Sequence, residues 1–156
     1  MSKLVGKDNR LRVHDGTTFR DLSNEIDSVT IDDGFDEVEV TGFTDQAHNF
    51  ILGLYSGDIT IAGFFNSAAN KSHAVWSALV GSNTSHTVED TLGQGAAATT
   101  GDPRWGGVSG VAYLVSKYSL NPTPAGAVKY SVTCKIASAA AAVSAPTWGT
   151  ASTLAP

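Results

Sequence analysis

The chain reads as mainly β: a β-sandwich or barrel of about seven strands with one short helix. Three observations predict this. Apolar and polar residues alternate in Glu37-Val38-Glu39-Val40-Thr41-Gly42-Phe43, in Asp58-Ile59-Thr60-Ile61-Ala62-Gly63-Phe64, and through Val128, Tyr130, Val132, Cys134 and Ile136. Turn pairs and triplets rich in Gly, Asp, Asn and Pro punctuate those runs. Only one stretch carries a helical period.

Residues 1–10 form a polar, basic arm, residues 11–137 the domain, and residues 138–156 an Ala/Ser/Thr-rich extension. A short strand at 11–14 is closed by Asp15-Gly16, and further strands are expected at 17–22 and 26–31. Asp32-Asp33-Gly34 reads as the next turn. In 37–43 the alternation puts Val38 and Val40 toward a core and Glu37 and Glu39 toward solvent. Phe50–Leu54 reads as an apolar turn, and Ser56-Gly57-Asp58 leads into a strand at 59–65. In 70–80, Val75, Trp76, Leu79 and Val80 make a helical stripe, with Asn70 or Ser72 as cap, Gly81 as terminator and Trp76 as core anchor. A strand is expected around 87–91 and a loop over 93–103. Residues 108–118 are apolar on both faces, which predicts a central strand. A Pro-rich turn at 121–126 precedes the last expected strand, 127–136. The extension lacks the apolar pattern for a core of its own, and Trp148 stands out in it as an anchor to something else.

Charged residues make up only 16% of the chain, against about 25% in an ordinary soluble domain. A poorly charged surface is tolerable where neighbouring subunits cover it. The net charge is −5, unevenly distributed. Residues 21–45 hold nine acids and no Lys or Arg, whereas the first twenty residues hold Lys3, Lys7, Arg10, Arg12 and Arg20. Such a run is a solvated face, one side of a complementary subunit contact, or a surface that repels an anion.

No catalytic constellation is present. His14, His48, His73 and His86 lack metal-ligand spacing, and the single Cys134 has no partner for a disulfide or a zinc site. Asp32, Asp33 and Asp36 do not follow the calcium-loop order. No Gly-x-Ser-x-Gly elbow or Gly-Lys-Ser/Thr phosphate loop occurs. An enzyme is not expected, nor is a cofactor. No secretory h-region is visible at the start, and no apolar run reaches the ~20 residues that span a bilayer. The chain is expected to be made in a reducing cytoplasm, without a membrane partner.

One family fits the order of the strands. The segment Glu37-Val38-Glu39-Val40-Thr41-Gly42-Phe43-Thr44-Asp45, then Phe50-Ile51-Leu52-Gly53-Leu54, then Gly57-Asp58-Ile59-Thr60-Ile61-Ala62-Gly63-Phe64-Phe65-Asn66, resembles the tail tube (major tail) proteins of long-tailed bacteriophages. The helix that follows and the late strand pair match in order, so the resemblance covers roughly residues 20–136. The extension with Trp148 has no counterpart in that pattern.

The resemblance implies a virion protein whose copies close into hexameric rings that stack into a tube for genomic DNA. It implies as partners the tape-measure, tail-tip and terminator proteins, a host bacterial cytoplasm as the place of synthesis, and DNA passing without specific binding. On that model Asp32, Asp33, Asp36, Glu37 and Glu39 are candidates for the lumen, since an acidic lining offers phosphate no cationic contact. Lys3, Lys7, Arg10, Arg12 and Trp148 are the candidate inter-subunit contacts. The alternatives are another virion component, such as a tail terminator or a capsid decoration protein, and a carbohydrate-binding β-sandwich that stacks sugars on Trp76, Trp105 and Trp148.

Overall fold

The computed structural model describes residues 6–44, 46–93, 102–106, 113–137 and 147–150. Its strands are β1 (Arg10–His14), β2 (Phe19–Asp21), β3 (Ile26–Glu39), β4 (Phe50–Phe64), β5 (Val88–Thr91), β6 (Pro103–Gly106), β7 (Tyr113–Asn121), β8 (Lys129–Ile136) and β9 (Thr147–Thr150), with one α-helix, α1 (Ser72–Leu79). They form a five-stranded sheet in the order β2-β1-β5-β6-β9 and a four-stranded sheet in the order β3-β4-β8-β7. Every paired strand runs antiparallel to its neighbour.

The core lies between the two sheets. The first contributes Leu11, Val13, Val88 and Trp105; the second contributes Ile59, Ile61, Tyr113, Val115, Tyr130, Val132 and Cys134. Their every-second-residue spacing is the alternation that marks strands with one buried face. The helix adds Val75, Trp76 and Leu79 and lies against β7. Trp76 is therefore a core anchor, as expected, while Val80 is exposed.

The helix start is held by a distant residue. Neither expected cap acts: Asn70 sits in the left-handed region (φ 62°), and no side chain of the capping position bonds the first turn. Instead the buried Glu25 carboxylate accepts the Ser72 backbone N–H at 2.7 Å and Asn66 Nδ2 at 3.1 Å. A negative group at a helix N-terminus satisfies a donor that lacks an intrahelical partner. The main chain at Glu25 also crowds β4, because a Cβ on Gly63 would collide with the Glu25 carbonyl oxygen.

Several expectations are corrected. Asp32-Asp33-Gly34 is not a turn, because β3 runs through it, and Phe50–Leu54 and Ser56-Gly57-Asp58 lie inside β4. Cross-strand pairing along the whole hairpin overrides the local turn chemistry of those residues. The late strand is an edge strand, since β7 pairs with β8 alone among the named strands; residues 108–112 lie outside the described residues. Part of the extension is ordered within the domain, for β9 pairs with β6. The described strands number nine, in the mainly β fold with one short helix that the sequence predicts.

Candidate self-assembly surface

The pairing of β3 with β4 outruns the rest of its sheet. β8 pairs with β4 only from Ile59 to Phe64, whereas β3 stays paired with β4 out to Glu39 and Phe50. The part of the hairpin beyond Asp58 is thus a two-stranded arm. A register shift between Phe35 and Glu37 places an extra residue on the β4 side. Such a bulge bends a ribbon and increases its twist.

Alternation on the arm is as the sequence predicts, but there is no core beneath it. Val38 stands opposite Ile51 on one face; Glu37 opposite Leu52 and Glu39 opposite Phe50 share the other. Val38, Val40, Phe43, Phe50, Ile51, Leu52 and Leu54 are all exposed, Leu54 to 80%. The expectation that Val38 and Val40 face a core fails because the arm extends past the partner sheet. Seven exposed large apolar residues on one arm are more than the scattered single exposures of an ordinary surface.

The acids divide into two groups by what they meet. Asp21 pairs with Arg10 at 2.6 Å, Glu25 lies 3.6 Å from Lys71 Nζ, and Asp27 pairs with Lys129 at 2.8 Å. These are neutralised within the chain. Farther along β3, Asp32, Asp33, Asp36, Glu37 and Glu39 are all exposed. Among the described residues Asp32, Asp36 and Glu37 form no ion pair. Asp33 Oδ1 accepts the Tyr55 hydroxyl at 2.8 Å, and burial together with that charged acceptor pushes the Tyr55 phenol up to about 12. Hydrogen bonds from His48 (2.6 Å) and Thr41 (2.8 Å) hold the Glu39 carboxyl below its usual range. The structure therefore strings all five candidate acids along one strand, beside the exposed apolar residues.

The basic candidates fare differently. Lys3 lies outside the described residues, and Lys7 is exposed in a 3-10 turn (Gly6–Asp8). Arg10 is tied to Asp21. Arg12 is corrected as an inter-subunit contact: it is only 4% exposed, pairs with Glu89 at 2.7 Å and lies over the Phe19 ring. Its charge partner is 77 residues away, so the short-range sequence pattern could not reveal it. The backbone of Trp148 pairs with Trp105 in the β6–β9 ladder.

Several residues that matter here were not singled out by sequence reasoning. Leu52 and Leu54 were absorbed into an expected turn, and the Phe35–Tyr55 ring pair (centroids 5.2 Å apart) marks the point where the arm leaves the body. The usable signal was the length of alternating sequence on both sides of 40–49, too long for two short strands. Trp76 and Trp105 are wholly buried, which removes them as a sugar-stacking platform. Among the described residues no group of three or more His, Cys, Asp or Glu could hold a metal ion, and no helix is long and apolar enough to cross a membrane.

No protein-family model and no curated protein sequence matches the chain. Solved structures do. The chain is similar to a chain of the tail of an empty gene transfer agent particle, refined with C6 symmetry, at 17% identity and TM-score 0.59, over 91% of this chain and 98% of that one. It is similar to the SPP1 tail tube at 9% identity and TM-score 0.66, over 97% and 81% of the two chains. It is also similar to a chain of the anti-feeding prophage tube-terminating cap at 15% identity and TM-score 0.62, over 97% and 93%. At such identities the likeness establishes a shared fold, and that fold is the one found in phage tails and related tubes.

Proposed function

We propose that the protein is a structural subunit of a phage-type tail tube, assembling into rings of six that stack around a DNA channel. The carrying observation is the projecting β3–β4 arm, whose two faces hold exposed apolar residues with no core of their own. It belongs to a sheet whose outer strands, β3 and β7, lack a further partner among the named strands. Edge-to-edge pairing of copies would bury both edges, and rotational closure would leave none open. The C6 symmetry of the similar gene transfer agent tail supports six copies per ring. Tape-measure, tail-tip and terminator proteins are the partners this reading implies.

The exposed acids of β3 fit the channel side. A lysine in the lumen would add a phosphate contact, and each contact steepens the salt dependence of DNA binding by about one unit. Asp32, Asp33, Asp36, Glu37 and Glu39 offer none. A second reading is a tube-terminating subunit, favoured by the similarity to a chain of the anti-feeding prophage cap structure.

Electron microscopy of the purified protein at rising concentration tests this. Extended tubes support the tube subunit, single capped rings the terminator, and monomers at every concentration overturn both. In assembled particles, Asp36→Lys with Glu37→Lys should leave tubes intact but retain DNA in low salt. Normal DNA release would remove those acids from the lumen.

A further inference from the structure

The inner face of the five-stranded sheet breaks its own rule at one position. Leu11, Asp90 and Trp105 lie side by side across β1, β5 and β6, and so point the same way. Leu11 and Trp105 belong to the core, and Asp90 is 2% exposed. No group among the described residues hydrogen-bonds Asp90 Oδ1. A buried carboxylate is normally paired or hydrogen-bonded, because leaving it alone costs several kcal/mol, roughly.

Asp90 lines a cavity of about 380 Å³, walled also by Lys7, Asn9, Leu11, Ser23 and residues 26–29 of β3. Asn9 Oδ1 is a second buried acceptor without a partner. Both orphan atoms accept, so they call for a donor. Leu11, Ile26 and Val29 give the wall an aliphatic side, beside the hydroxyl residues Ser23 and Ser28. The space equals roughly a dozen water volumes, far more than one dehydrated ion needs. A hard metal ion would also require several oxygen ligands, and no cluster of three or more acidic or imidazole side chains surrounds it among the described residues.

We propose that this cavity binds a primary ammonium group on a short aliphatic stem, with the ammonium at Asp90 and Asn9 and the stem against Leu11, Ile26 and Val29. That is the shape of a lysine side chain or of a free alkyl amine: a compact three-donor head on a flexible apolar stem. The inference does not depend on the tube reading.

The charge state of Asp90 supplies an independent handle. Burial raises its carboxyl to about 6. Among the described residues the other titratable groups on the wall are Lys7, from the 3-10 turn, and Asp27, from β3, which is already paired with Lys129. β1 and β6 present the uncharged Leu11 and Trp105 opposite Asp90. The ammonium is therefore held above about pH 6 and released as Asp90 takes up its proton below that.

The test is calorimetric titration of the full chain with n-butylammonium chloride, at pH 8 and pH 5, with sodium and guanidinium chloride as ionic controls. Expected is saturable binding at pH 8, at least tenfold weaker at pH 5, and weaker by roughly tenfold or more in Asp90→Asn and in Asn9→Ala. No saturable binding at pH 8, binding indifferent to pH, or equal binding by the sodium and guanidinium controls would overturn the proposal and leave a water-filled cavity. The pH comparison uses the unaltered chain, so the result stands even if a variant misfolds. Light scattering separates the two sources. If butylammonium or Asp90→Asn dissolves assemblies, a lysine of a second copy fills the cavity; if assembly is unchanged while Asp90-dependent binding persists, the occupant is a free amine.

Discussion

Trp105 Nε1 donates to the Tyr113 hydroxyl at 2.6 Å, and both side chains are wholly buried, so one hydrogen bond ties β6 of one sheet to β7 of the other. Most of the contact between the two sheets is apolar packing, which sets distance but tolerates sliding, and the chain just ahead of β5 adds a backbone bridge from His86 to Tyr113. A directional bond between two large rings fixes one alignment.

Tyr113→Phe keeps the ring and removes the acceptor, leaving a buried indole N–H. Equilibrium urea unfolding should show a loss of about 1–3 kcal/mol. Tyr118→Phe is the control, since its hydroxyl meets His73 Nδ1 at 3.1 Å in a half-buried setting and should cost less.

Glu89 is buried between two guanidinium groups, 2.7 Å from Arg12 Nη2 and 2.5 Å from Arg104 Nη1. Removing by Glu89→Ala the carboxylate that two guanidinium groups share breaks a buried ion-pair network and should cost about 3–5 kcal/mol. Lys129→Ala, which breaks the exposed pair with Asp27, should cost about 0–1 kcal/mol. Similar urea midpoints for the two variants would contradict the burial difference on which this contrast rests.

On the arm, Leu52→Glu combined with Leu54→Glu changes two exposed side chains. Stability of the folded subunit should shift by no more than about 0.5 kcal/mol per site. Self-association, followed by light scattering, should fall sharply. A loss of thermal stability without a change in association would place these residues in the fold rather than in the contact.

Asp90 makes stability depend on pH in a known direction. Its folded pKa, about 6, is above the ordinary 3.8, so the folded state holds a proton more tightly than the unfolded chain. That stabilisation is complete below about pH 3.8 and lost as pH rises through about 6. Asp90→Asn should therefore be more stable than the parent at pH 8, with the difference shrinking as pH falls through 6 toward 4. A pH-independent difference in melting temperature would contradict this.

How much of this was legible in the sequence depends on how far each residue's partner lies along the chain. Ile59 and Ile61, Tyr130, Val132 and Cys134, and the helical stripe of Val75, Trp76 and Leu79 were readable because burial there follows a local period. The arm differs from the sequence reading because Asp-Gly and Ser-Gly-Asp carry turn chemistry that cross-strand pairing along the hairpin overrides. Nothing local marks Arg12 as Glu89's partner, or Asp90 as an inward-pointing acid beside Leu11 and Trp105. The run of acids from Asp32 to Glu39 was plain in the sequence, but its separation from the paired acids Asp21, Glu25 and Asp27 needed three dimensions.

The interleaved strand order also constrains when the subunit becomes ready during synthesis. The β3–β4 hairpin is local in sequence and closes on itself early, as short-range contacts form fastest. The five-stranded sheet draws strands from residues 10 to 150, and β9 docks on β6 only after the chain has been made that far. A nascent chain therefore displays its adhesive arm well before its body is finished. The long interval between these two events is the period of greatest exposure to aggregation.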